Sequence, residues 1–243
     1  MLPKFIDNAR EDSLTAAVFS HLLHLTSEQF WRILSRACYT KKLPDYPGEP
    51  LLNAWPNWKP AETGNSDRVI PDLFMRFKTF DLIIEAKIAD HGTQDRSQWQ
   101  RELIAYTNEF GKEKRPVRMI ALGGIHSESD EQLHHQWHES TPESGGVSGE
   151  THHFNCTVHM CRWSTVLLEC QRLKRELEET NKHTPTSRTS ADIRILNDLI
   201  AFFAAHGYAA LRWFKDFDFK SNLLTPSVDS ERQLFRNSSL QFQ

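Results

Sequence analysis

The chain has 243 residues, 39% of them hydrophobic and 25% charged, with a formal net charge of −3. These values fit an ordinary globular domain with room for a sizeable core, and they exclude a protein that coats nucleic acid by bulk positive charge. No apolar run reaches the roughly 18 residues of a membrane span, and MLPKFIDNARED places acids where a secretory leader needs an apolar stretch. A cytoplasmic location is therefore expected, with Cys38, Cys156, Cys161 and Cys170 as reduced thiols.

Residues 8–37 read as two helices. Leu14, Ala17, Val18, His21, Leu22 and Leu25 recur at helical spacing, and Ser27 is the expected N-cap of a second helix over EQFWRILSRA. A Pro-, Gly- and Trp-rich connection over 40–66 follows, with one short strand near 51–55. Strands are expected at 68–77 and 80–88, a helix at 95–111, and a buried strand at 116–123. Residues 125–153, rich in His, Ser and Glu, read as a flexible insertion. A strand at 154–163 leads into a helix opened by Ser164. The polar gap NKHTPTSRTS separates that helix from an amphipathic one bearing Leu196, Leu199, Ile200 and Phe203. An aromatic segment, Trp213 to Phe219, precedes a polar tail. This order predicts an α/β domain whose mixed central β-sheet is flanked by helices, with further C-terminal helices.

The segment RVIPDLFMRFKTFDLIIEAKIAD sets the functional problem, because Asp72, Glu85 and Lys87 interrupt two strands that are otherwise apolar on both faces. A hairpin centred on Lys78 and Thr79 places Phe77 opposite Phe80 and Asp72 opposite Glu85. Directly opposed residues share a face, with Cβ atoms about 5 Å apart. Glu85 and Lys87, two apart on one strand, share it too. Two facing carboxylates repel, so a cation is required. Lys87 supplies one charge. A divalent ion supplies two, and Mg²⁺ takes one or two carboxylates together with substrate phosphate oxygens. Lys87 would then orient or help deprotonate an attacking water. The plain alternative is a buried salt bridge with no metal and no chemistry.

Pro71-Asp72, twelve residues, then Glu85-Ala86-Lys87 resembles the PD-(D/E)xK nuclease superfamily, in particular its RecB-like and restriction-endonuclease-like bacterial members. The upstream helix REDSLTAAVFSHLLHL resembles the one that brings a further acid to the metal, Glu11 matching better than Asp12. The helix QWQRELIAY resembles the glutamine- and tyrosine-bearing helix of RecB-like members, placing Gln98, Glu102 and Tyr106 on one face. It departs from that pattern in that Gln98 lies eight residues before Tyr106 instead of four.

The resemblance implies a restriction-endonuclease-like core, a single nuclease-like domain over 1–243 with a helical C-terminal part at 164–219, and hydrolysis of phosphodiester bonds. It also implies Mg²⁺ or Mn²⁺ held by Asp72, Glu85 and Glu11, Lys87 serving the attacking water, and Gln98 as an added contact. The implied partner is DNA, in bacterial antiviral defence or genome maintenance, with targeting supplied by another protein. A catalytically silent nuclease-like scaffold, or a nuclease acting on RNA or nucleotides, stays open.

Other residues carry weaker signals. His134, His135, His138, His152, His153, His159, Cys156 and Cys161 are zinc-ligand types. Their spacing matches no usual finger or ribbon, and the two cysteines, five apart on a strand, point to opposite faces. Solvated loop histidines are the plainer reading. Arg96, Arg101, Lys112, Lys114, Arg115 and Arg118 are placed to meet phosphates, or else form a solvated face with Glu102, Glu109 and Glu113 interleaved. The alternating charges of QRLKRELEET read as surface ion pairing.

Overall fold

The structure, a computed structural model, describes residues 11–39, 42–90, 94–125 and 155–208. In chain order these residues form helices α1 (Glu11–Leu22) and α2 (Ser27–Ala37), and strands β1 (Leu51–Ala54), β2 (Leu73–Arg76) and β3 (Asp81–Ala86). Helix α3 (Arg96–Phe110), strands β4 (Val117–Leu122) and β5 (Cys156–Cys161), and helices α4 (Trp163–His183) and α5 (Ser187–Ala205) follow. The expected insertion beyond residue 125 and the Trp213–Phe219 segment lie outside the described residues.

The strands make a five-stranded sheet in sequential order, β1 to β5. β1, β2 and β3 are antiparallel neighbours, whereas β3, β4 and β5 run parallel. The sheet is mixed because a tight turn can join antiparallel strands, whereas parallel pairing demands a crossover, which α3 provides between β3 and β4.

Strand alternation divides the interior in two. Leu73, Met75, Leu82, Ile84, Ile120 and Leu122 face one core, shared with α1, α2, α4 and α5. Phe74, Ile83, Met119, Ala121 and Met160 face a second core, shared with α3. Leu82, Ile83 and Ile84 are 0% exposed, so β3 is covered on both faces. Burying each such side chain contributes roughly 1.5–3 kcal/mol, which explains an unbroken apolar run in the middle of the sheet.

Local chemistry sets the ends of the helices. Thr26, one residue earlier than expected, caps α2: its side chain accepts from the Gln29 amide, and the Gln29 side chain accepts from the Thr26 amide. Ser27 is therefore the first helical residue. The polar gap before α5 shortens to residues 184–186, because Thr186 accepts from the Thr189 amide and starts the helix at Ser187. Leu196, Leu199 and Phe203 are buried, with Ile200 packed against the same core. On α4, Arg172 pairs with Glu169 and Lys174 with Glu178, as the alternating charges predict.

One buried acid fixes the tip end of the hairpin. Asp81 is 0% exposed and accepts from Arg76 Nε and Nη2, Arg115 Nε and the Tyr106 hydroxyl at 2.8–3.2 Å. Arg115 also donates to the carbonyls of Phe77 and Phe80 at the hairpin tip. Arg115, half-buried, thus has its guanidinium taken up by the hairpin. Arg118 lies over the Phe80 ring beside His159, in the core layer opposite α3. Removing one partner of a buried ion network strands the others. Asp81→Asn is therefore expected to cost roughly 3 kcal/mol, read as a lower urea midpoint with the slope unchanged. A loss within experimental error would show that Arg76 and Arg115 are held by packing alone.

Candidate active site

The hairpin register is Leu73 with Ile84, Phe74 with Ile83, Met75 with Leu82 and Arg76 with Asp81. The Phe77 amide donates to the Phe80 carbonyl at 3.0 Å across the Lys78-Thr79 tip. Continued by one step, this register sets Asp72 against Glu85, the pairing counted from the sequence. Both are nearly buried, at 7% and 2% exposure. Asp72 Oδ2 accepts from the Ala86 amide at 2.7 Å. The carboxylate is thereby tied to the backbone beside Glu85.

Lys87 lies one residue beyond β3. Its Nζ stands 2.5 Å from Glu85 Oε1, and Gln98 Nε2 reaches the same oxygen at 2.5 Å. Gln98 thus meets the acid as the family resemblance implies. The helical face read from the sequence is also present: Gln98 and Glu102 face the Glu85 end of β3, and Tyr106 reaches Asp81 at its other end. Beside Glu85 in the sheet stands Ala121, whose small side chain leaves room above it for α3. Glu11 is the first residue of α1, and the side chains of Glu11 and Asp12 lie outside the described residues.

The Lys87 backbone is held on both sides. Its amide donates to the Leu122 carbonyl at 2.8 Å, and its carbonyl accepts from Trp163 Nε1 at 2.6 Å. Gly123 and Gly124 follow β4 with φ of +69° and +64°. A Cβ on Gly124 would stand 2.9 Å from Lys87 Cβ and Cγ, so this turn is small because the lysine stem crosses it.

Two supporting residues escaped sequence reasoning, and a third, Glu102, was read on its helix face without its burial. Gln94 donates to the carbonyls of Glu85 and Gly123 at 3.2 Å and accepts from Trp99 Nε1 at 2.8 Å, joining β3, β4 and α3. Asp90 accepts from the amides of Trp163 and Ser164, placing a carboxylate on the N-terminus of α4. Glu102 is 1% exposed, and neither carboxyl oxygen has a hydrogen-bond partner. Burial, and then the charges of Glu85 and Asp72, push its carboxyl well above the usual glutamate range.

A pocket of about 560 Å³ opens over these groups. Its lining includes Asp72, Glu85 and Gln98, together with Trp55, Asn57, Arg68 and Ile70 from the connection between β1 and β2. The donor set of Asp72 and Glu85 fits a hard divalent cation, which prefers carboxylate oxygen. Among the described residues, however, no group of three or more His, Cys, Asp or Glu side chains is arranged to hold a metal ion. The zinc reading gains nothing here: Cys156 and Cys161 belong to opposite cores and His159 is buried, while His134, His135, His138, His152 and His153 lie outside the described residues.

Comparison with family models found no match, and neither the curated proteins nor the solved structures gave one. No helix among the described residues is long and apolar enough to cross a membrane.

The Glu102 environment gives a pH test. A carboxyl raised in the folded state stabilises fully below the ordinary value of 4.5 and loses that contribution as pH climbs toward the raised value. In EDTA, Glu102→Gln is therefore expected to melt above the parent at pH 8 and to converge with it toward pH 4.5. Each kcal/mol of relief corresponds to about 2–4 °C for a chain of this size. A difference independent of pH would show that Glu102 is ionised in the fold.

Proposed function

We propose that this chain is a metal-dependent nuclease of the PD-(D/E)xK type, with a restriction-endonuclease-like core, that hydrolyses phosphodiester bonds in DNA. The observation that carries the reading is the β2–β3 register, which sets Asp72 against Glu85 at one end of the sheet with Lys87 Nζ 2.5 Å from Glu85. The mixed sheet and the crossover helix bearing Gln98 support it. A cytoplasmic protein of bacterial defence or genome maintenance, targeted to DNA by a protein partner, fits the same reading.

Asp72 and Glu85 would hold Mg²⁺ or Mn²⁺, with Glu11 as a third acid. A bound divalent ion supplies Lewis-acid polarisation of the phosphoryl oxygen and acidifies its water. Asp72 is oriented for this role by the Ala86 amide, which holds one of its oxygens in place. Lys87, anchored through its own backbone, carries the ammonium that orients the attacking water and offsets charge developing on phosphorus. Gln98 fixes the Glu85 rotamer through a hydrogen bond from the helix side.

One observation favours a second reading. Glu85 Oε1 already accepts from both Lys87 and Gln98, a polar triad that holds itself together as a nuclease-like scaffold without catalysis would. Supercoiled plasmid, linear DNA and RNA, each with Mg²⁺, Mn²⁺ or EDTA, separate the two readings. The nuclease is expected to cut DNA with metal and not in EDTA. Lys87→Ala is expected to lower the rate by about 10²–10⁴-fold, and Asp72→Ala to abolish cutting and weaken metal binding by calorimetry. Cutting that persists in EDTA or survives both substitutions would remove the proposal. Metal binding without cutting of any substrate would favour the scaffold.

A further inference from the structure

The side of the pocket facing the acids is built from the connection between β1 and β2, and it is held rigidly. Trp58 and Val69 form a bridge in which each amide donates to the other's carbonyl, at 3.0 and 3.3 Å. Both side chains are buried in the α3 core, where Trp58 meets Phe74, Tyr106 and Phe110 edge-on. From α3, Asn108 donates to the carbonyls of Lys59 and Ala61, and Glu109 accepts from the Lys59 amide. Extended residues alternate faces. With Trp58 and Val69 turned inward, their neighbours Asn57, Arg68 and Ile70 turn out to the pocket.

Trp55 completes this wall. Its amide donates to the Asp72 carbonyl at 3.1 Å, so the indole is tied to the strand that carries the first acid. Its φ is +49°, a left-handed conformation that bulky residues rarely adopt. Unfavourable backbone of this kind gathers at sites where the surrounding structure enforces it. Yet Trp55 is 41% exposed and Ile70 48% exposed. The fold thus fixes two large apolar surfaces in place and leaves them in water, beside a guanidinium and an amide and facing two carboxylates.

We infer that this wall is a platform for an unpaired nucleobase, so that the substrate is a single-stranded segment or a frayed end and not intact duplex. The inference rests on the nuclease reading and adds to it the form of the substrate. An aromatic face stacks on any base, and the base must be out of its duplex to present one. Ile70 closes the apolar contact beside the indole. Arg68, beyond the carboxylates, is placed for a non-bridging phosphate oxygen next to the one at the acids. The amide of Asn57 offers both a donor and an acceptor to a base edge. A double helix keeps its base faces stacked inside and presents only edges and backbone to such a wall.

The test uses the full chain carrying Lys87→Ala in Mg²⁺, so that the probe stays intact, and reads fluorescence anisotropy. The probes are a labelled oligothymidylate of roughly 15 nucleotides, an oligouridylate of the same length, and a blunt duplex. Trp55→Ala is expected to weaken oligothymidylate binding roughly tenfold or more. Trp55→Phe should restore most of it, and duplex binding should be weaker and indifferent to both changes. Tighter binding of oligouridylate would keep the platform and assign it to RNA. Absence of binding to single strands, indifference to Trp55→Ala, or equal losses on duplex and single strand would overturn the inference. Cutting of single-stranded DNA in Mg²⁺ by the otherwise native chain separates the two claims. Metal-dependent cutting with Trp55-independent binding sinks the platform alone, and Trp55-dependent binding without cutting sinks the nuclease alone.

Discussion

The rest of the site depends on the pairing of β2 with β3, because the period of a strand is two and a slip of one residue would send every side chain to the other face. In the observed register Leu73, Met75, Leu82 and Ile84 enter one core, and Asp72, Phe74, Ile83 and Glu85 turn to the α3 side. Slipping by one residue would expose the first group to the wrong layer and bury the carboxylates among apolar residues without Gln98. The hydrophobic residues therefore specify the position of the acids. The site is fixed by the packing of its neighbours, at no cost in special backbone geometry within the two strands.

Three buried carboxylates along this face show how environment divides labour among identical chemistry. Asp81 is saturated by two guanidiniums and a phenol, as a structural acid must be when water is excluded. Glu85, at the other end of the same strand, meets an ammonium and an amide at one oxygen. Glu102 lies deeper and finds no hydrogen-bond donor, so burial pushes it toward the neutral form. Polar satisfaction thus falls off from the tip end of the hairpin toward Glu85 and Glu102. The deficit sits behind the pocket-lining Glu85, on a carboxyl that burial pushes toward its neutral form.

Much of this was legible in the sequence because it follows from periodicity. Counting from Lys78-Thr79 gives the register, and the spacing of Gln98, Glu102 and Tyr106 gives the helix face that meets it. Other features depend on contacts across long stretches of chain. Arg115 looks like a surface cation beside Lys112 and Lys114, and nothing local says that Asp81, 34 residues earlier, draws it inward. Gln94 and Asp90 sit in a polar segment that reads as plain connection, yet they tie β3, β4 and α4 together. Trp55 ends the short strand expected near 51–55, in a Pro-, Gly- and Trp-rich connection where nothing local sets it apart. Its exposure emerges only once Trp58 and Val69 have taken the inward positions.

The acids and the wall above them are joined through Asp72, by one backbone hydrogen bond and one to its carboxylate. Trp55 donates its amide to the carbonyl of Asp72, and Asp72 accepts from the amide of Ala86, which follows Glu85. Any shift of β2 against β3 that separated the carboxylates would carry the indole with it. On the nuclease reading, groups that share one hydrogen-bonded path are preorganised: their geometry is set during folding and need not be assembled when a substrate arrives. The remaining freedom lies in side chains, chiefly Lys87. Its stem is confined by Gly124, but its ammonium can leave Glu85 Oε1 when a doubly charged ion competes for that oxygen. On that reading the ion pair is the resting form of a site whose backbone is already in place for a metal-bound form.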